Sequence, residues 1–239
     1  MSNRFPCIIS RQFAFLLLAA CSGSAFGHDL WLEREASTYT LMQGHRYSTH
    51  GGAETIPYDP ANVREALCFG DDGKARPLPI VKAQPVKLSG PCNALLARYV
   101  SGYWTKTAWE TKNQPKTGIA GVLKSWHSEE SVKRIDRWQP SLTKALGNGF
   151  ELSPQSDPFA LKSGDKLIVL VTDAGKPVVG VPVAYGDETR GVSGEDGRIA
   201  IRLRHGGMQL IAASLETPLA DGKADTSIRT AALQFEIAK

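Results

Sequence analysis

Four of the five histidines, His28, His45, His50 and His127, fall in the first 127 of 239 residues. Imidazole nitrogen suits copper, nickel, cobalt and zinc, so this skew is where the chain could do chemistry. His28 directly follows Ala25-Phe26-Gly27, which carries small residues at the two positions a signal peptidase inspects. Cleavage after Gly27 would leave His28 as the first residue, with an α-amine beside its imidazole. The amine has an ordinary pKa of ~7.8 and the ring ~6.5, so an ion gripping both displaces about one proton at neutral pH. His45 and His50 stand in Gln43-Gly44-His45-Arg46 and Ser48-Thr49-His50-Gly51-Gly52. An offset of five puts them on opposite faces of a continuous strand. They can share an ion only across a bend, which Gly44, Gly51 and Gly52 would permit. His127 completes the candidate set of metal ligands. His205, in Arg204-His205-Gly206-Gly207, reads as a turn residue, Asp29 and Glu33 as solvated carboxylates, and Trp31 as packed.

Other chemistries lack their residues. The chain has no G-x-S-x-G, no P-loop, no G-x-G-x-x-G after a strand and no H-E-x-x-H, which argues against an enzyme. The formal charge of +4 falls to about +2 once Arg4 and Arg11 leave with a leader, too little to imply nucleic acid.

The N-terminus reads as a leader. Met1 to Gln12 is basic and free of acidic residues, and Phe13 to Ala20 is apolar but far shorter than the ~20 residues of a membrane span. Two processing routes stay open. Cleavage after Gly27 exposes His28. Leu18-Ala19-Ala20-Cys21 instead fits a lipobox, which would leave a lipoprotein anchored through Cys21 and turn the nitrogen of His28 into an amide. Either route is export. Cys68 and Cys92 then form an even pair in an oxidising compartment, where a disulfide is expected.

The elements around the candidates read as all-β, in two β-sandwich domains. With residues 1–27 as signal peptide, the N-terminal β-rich domain spans 28–152 and the C-terminal sandwich 153–239, divided at the proline-bearing Leu152 to Pro158. In the second domain Leu167 to Val171, Val179/Val181/Val183, Ile199/Ile201/Leu203 and Leu233/Phe235/Ile237 give period-2 or buried-strand patterns between Gly/Asp turns. In the first, Tyr39 to Leu41, Val63 to Phe69 and Leu95 to Tyr103 read as strands. Ser128 to Trp138 reads as a short helix, capped by Ser128, with Glu129 and Glu130 in its first turn and Val132, Ile135 and Trp138 on one face.

The phrase His28-Asp29-Leu30-Trp31-Leu32-Glu33 after a leader resembles the start of an exported bacterial family of unknown function, whose members are often labelled periplasmic components of nickel or cobalt uptake. Pro158 to Asp165, Gly175 to Val183 and Gly194 to Arg198 are similar to the same family. They also resemble, more loosely, transthyretin-like and carboxypeptidase-regulatory sandwiches, and the C-terminal domain is expected to be a transthyretin/Ig-like sandwich. The resemblance implies a periplasmic binding protein for a divalent transition metal, nickel or cobalt (copper and zinc fit the same donors), working with an envelope metal transporter, with His28 as the first ligand. Two other functions fit the residues. One is a non-catalytic envelope scaffold that contacts its partner through Trp104, Trp109 and Trp126. The other is a copper monooxygenase, which also sets an N-terminal histidine on a β-sandwich.

Overall fold

The computed structural model describes residues 28–46, 54–186 and 188–239. His50 and both leader cysteines therefore lie outside the described residues.

Three β-sheets pack in layers. The first holds β1 (Asp29–Glu35), β2 (Thr38–His45), β3 (Glu54–Thr55) and β6 (Lys87–Ser89), with β1 and β2 joined through the two-residue turn Ala36-Ser37. The central sheet contains β4 (Val63–Phe69), β5 (Ala75–Pro77), β7 (Ala94–Thr107), β8 (Thr111–Lys112), β9 (Val122–Ile135), β13 (Pro182–Tyr185), β14 (Glu188–Val192), β16 (Gly207–Pro218) and β17 (Thr226–Ile237). Its order is β14-β13-β16-β17-β9-β7-β4-β5, with β8 paired to β7. The third holds β10 (Phe150–Pro154), β11 (Lys166–Asp173), β12 (Lys176–Pro177) and β15 (Arg198–Arg202).

Successive side chains on a strand point to opposite faces, so the central sheet feeds two cores. Leu95, Ala97, Val132 and Ala232 pack with Leu30, Leu32, Tyr39 and Leu41 of the first sheet. Their neighbours Leu96, Ile135, Leu233 and Phe235 pack with Leu152, Leu167, Val169 and Val171 of the third. The all-β sandwich expectation holds, as two sandwiches sharing one middle sheet. Residues on either side of the Leu152 to Pro158 boundary meet there: β17 pairs in parallel with β9, Ala232 opposite Val132.

The helix expected over Ser128 to Trp138 is instead the second half of β9 and the turn beyond it. β9 runs between β7 and β17 and hydrogen-bonds to both, so ladder bonds on two sides override the helical propensity of its Glu, Lys and Arg residues. Val132 and Ile135, expected on one face, lie in different cores. The Val179/Val181/Val183 alternation also breaks. Gly180 takes a φ of 74°, leaving Val179 exposed while Val181 and Val183 are buried.

The predicted disulfide is formed between Cys68 and Cys92, whose Cα atoms are 5.2 Å apart. It joins β4 to the residue pair just before β7. A closed loop of this length stabilises by about 3 kcal/mol.

The strand that carries His28 is fastened by side chains of the central sheet. Gln234 uses its whole amide on the backbone of Leu32, accepting from its N–H at 2.9 Å and donating to its carbonyl at 2.7 Å. Arg134 donates to the same carbonyl at 2.9 Å and to Asp136 at 2.9 Å. Across the other core, buried Lys133 reaches Glu151 of β10 at 2.7 Å and donates to Ser153 at 2.9 Å. Glu151 accepts in turn from the backbone N–H groups of Leu146 and Gly147.

Candidate metal centre

The β1–β2 hairpin sets the site. Its register pairs Leu32 with Leu41, Leu30 with Gln43 and Asp29 with Gly44; one step further brings position 28 opposite 45. The His28 and His45 rings meet edge to face, with centroids 5.0 Å apart and planes 64° from one another. Ligand bonds of ~2.0–2.1 Å put an ion about 3.2 Å from each ring centre, so two rings at a tetrahedral angle would be about 5 Å apart. The observed separation of ring centres is the one that two imidazoles on one ion would have.

Gly44 fixes the end of β2. A Cβ there would lie 1.8 Å from the carbonyl oxygen of Glu54, so only glycine lets β3 approach and pair Gly44 with Thr55 and His45 with Glu54. Asp29 accepts from the backbone N–H of Arg46 at 3.1 Å, which ties the chain beyond His45 back to β1. Partial burial, and secondarily the neighbouring His45, lower the pKa of His28. Both effects favour the neutral ring, the form that binds metal.

One carboxylate faces the hairpin. Glu130 lies on β9 with the same parity as Val132 and Arg134, and Gln43 Nε2 donates to both of its oxygens at 3.2 Å. Burial, reinforced by the charge of Asp29 and opposed by the Gln43 hydrogen bond, pushes the Glu130 carboxyl up to about 7. Sequence reasoning missed Glu130 because it assigned the segment to a helix. Read as a strand, the alternation Trp126, Ser128, Glu130, Val132 would have placed it facing β1 and β2.

Of the other expected ligands, His50 lies outside the described residues and His127 does not join the pair. His127 sits between Trp126 and Ser128, so its side chain takes the opposite face of β9, where it packs against Tyr103 with ring centres 4.9 Å apart. His205 stacks on Tyr185. Among the described residues no group of three or more His, Cys, Asp and Glu side chains is disposed to hold an ion. Among the described residues the nitrogen set here is therefore the His28 and His45 pair.

Beside His28 opens a cleft of about 500 Å³, walled by Tyr58, Tyr99, Trp104 and Trp126 and floored by Gln43 and Glu130. Trp104 and Trp126 are cross-strand partners, with nearly parallel rings at 6.4 Å. The third tryptophan of the expected contact surface, Trp109, is 92% exposed at the turn between β7 and β8.

A sequence profile described as "Domain of unknown function (DUF4198)" matches residues 25–217, which takes in the hairpin, the cleft and most of all three sheets. The chain belongs to the DUF4198 family. Its family span begins just ahead of His28. No curated protein matches the chain. Among solved structures, this DUF4198 protein is similar to the N-terminal four Ig domains of Dscam1 isoform 6.9. That likeness has 10% identity and a TM-score of 0.21, covering 85% of this chain and 42% of that one.

Proposed function

We propose that this DUF4198 protein is an exported binding protein for a divalent transition metal, nickel or cobalt, held by His28 and His45 and passed to an envelope metal transporter. The observation that supports the reading is the closeness of the two imidazoles, at 5.0 Å between centroids. Burial lowers the proton affinity of His28, so little proton release opposes binding near neutral pH. Processing after Gly27 would add the α-amine as a third nitrogen, and His28 would then grip the ion twice. The remaining coordination positions would be open, which suits an ion that must be handed on. The compartment proposed is the periplasm, with which the Cys68–Cys92 bond is consistent, with attachment to the membrane only if Cys21 is lipidated. The role assigned is carriage, without a catalytic step.

Nitrogen donors alone rank copper above nickel and cobalt, so the test uses all four ions. The protein beginning at His28 is titrated calorimetrically with Ni²⁺, Co²⁺, Cu²⁺ and Zn²⁺, beside His28→Ala and His45→Ala. The reading expects saturable binding that both substitutions weaken. Heat indistinguishable from dilution for every ion would end it.

A second reading, a non-catalytic envelope scaffold, is favoured by the exposure of Trp109. There the Trp109→Ala variant should lose its partner while the histidine variants keep it.

A further inference from the structure

We infer that the cleft between the β1–β2 hairpin and the long β7–β9 hairpin is a binding site for a short neutral saccharide.

Its walls are the first ground. Trp104 and Trp126 line it half-buried, beside the buried pair Tyr58 and Tyr99, and the exposed part of an aromatic face binds the C–H faces of pyranose rings by dispersion and by its negative π-surface. The two indoles are nearly parallel on adjacent strands, at an interplanar angle of 11°. The Trp104 Nε1–H is already satisfied, donating to Ser101 Oγ at 2.9 Å. That ring thus serves as a surface to stack on.

The polar lining is the second ground. Asp59, Asn62, Ser101, Asn113, Ser128 and Glu130 supply hydroxyl, amide and carboxyl groups around the aromatic walls. Asn113 spends its amide hydrogens on the carbonyls of Ser101 and Tyr103, at 2.8 Å each. That fixes the side chain and leaves its Oδ1 as an acceptor. Vicinal hydroxyls, each both donor and acceptor, match such a mixed set.

Charge is the third. Among the described residues no lysine or arginine lines the cleft, while two carboxylic acids, Asp59 and Glu130, do. Without an ion on His28, phosphate, sulfate and uronate ligands would find no lysine or arginine to pair with among these side chains, which favours an uncharged polyhydroxylated ligand. The volume of about 500 Å³ falls within the ~300–1,000 Å³ usual for small-molecule sites. This inference does not rest on metal binding. His28 borders the cleft, but the aromatic and amide groups act without an ion, so either proposal can fail while the other stands.

The test is tryptophan fluorescence of the EDTA-treated protein, titrated with chitotetraose, cellotetraose, maltotetraose and, as the anionic counterpart, tetragalacturonate. Saturable quenching by at least one neutral sugar with a Kd near ~1 mM or tighter is expected, with weaker or no response to tetragalacturonate. Trp126→Ala should weaken binding by about tenfold or more. Trp126→Phe, which keeps a ring and guards against loss of fold, should retain most of it. Asn113→Ala should weaken it, and Trp109→Ala should leave it unchanged. Three outcomes overturn the inference: no saturation by any neutral sugar up to about 10 mM, undiminished binding by well-folded Trp126→Ala, or preference for tetragalacturonate.

Discussion

Gln43 and Glu130 face one another across the first core, with the Gln43 amide nitrogen 3.2 Å from each carboxylate oxygen. This contact joins the hairpin that carries both histidines to the middle of the central sheet. It also sets a pH dependence. Burial raises the Glu130 pKa from 4.5 to about 7, so between those values the folded protein holds a proton that the unfolded chain has released. Stability therefore falls as pH rises through that window and levels off above it. Glu130→Gln removes the charge and should flatten the slope, leaving the metal-free variant more stable than the parent by about 3 kcal/mol near pH 8. Urea unfolding at several pH values measures this; parallel curves for parent and variant would refute the assignment.

His28→Ala and His45→Ala should each lower transition-metal affinity by about tenfold or more, equal to ~1.4 kcal/mol per tenfold. His127→Ala should have no effect, because that ring packs on Tyr103 on the far face of β9. Adding a single residue ahead of His28 turns its amine into an amide and should cost affinity without touching either ring. Calorimetry on the four forms checks this. A loss on His127→Ala equal to that on His45→Ala would contradict the site.

Much of the framework was legible because local pattern and final environment agree. Val63 to Phe69 and Leu167 to Val171 are strands in sequence and in structure. Arg198, Arg202 and Arg204 stay exposed on the face opposite buried Ile201 and Leu203, as alternation requires. β9 was not legible. Its buried lysine and arginine are matched by Glu151 and Glu236, partners that no local pattern reveals. The site was half legible. The sequence pointed to His28 and to His45, but the one geometric relation it weighed was a bend that would join His45 to His50. The structure brings His28 to His45 through hairpin register instead. The two-residue turn at Ala36-Ser37 was the available signal, since it pairs 35 with 38 and so 28 with 45.

Lys133 and Glu151 are almost wholly buried, at 1% and 2% side-chain exposure. Burial lowers the Lys133 pKa, against the pull of Glu151. Lys133→Met would strand the carboxylate between two sheets. Breaking one side of such a pair typically costs about 3–5 kcal/mol, and the urea midpoint should fall accordingly. A midpoint within error of the parent would mean that the pair contributes little.

Cys68 and Cys92 hold the start of β7 against β4. Replacing both with alanine should lower stability by about 3 kcal/mol, from the restored freedom of the unfolded loop. Adding reductant to the parent should reproduce the loss, and the double variant should be insensitive to it. Equal sensitivity of the two proteins would show that the loss has another source.

Gly44→Ala tests whether strand geometry or histidine chemistry makes the centre. The added methyl would lie 1.8 Å from the Glu54 carbonyl oxygen, so β3 or the end of β2 must move, and His45 with it. Both histidines remain, yet metal affinity should fall about as far as in His45→Ala. Amide shifts in a ¹⁵N correlation spectrum should concentrate around positions 28–30, 42–46 and 54–56, because the third sheet lies beyond the central one and is untouched. Unaltered affinity with those same shifts would mean that the ion does not depend on the close pairing of the two rings.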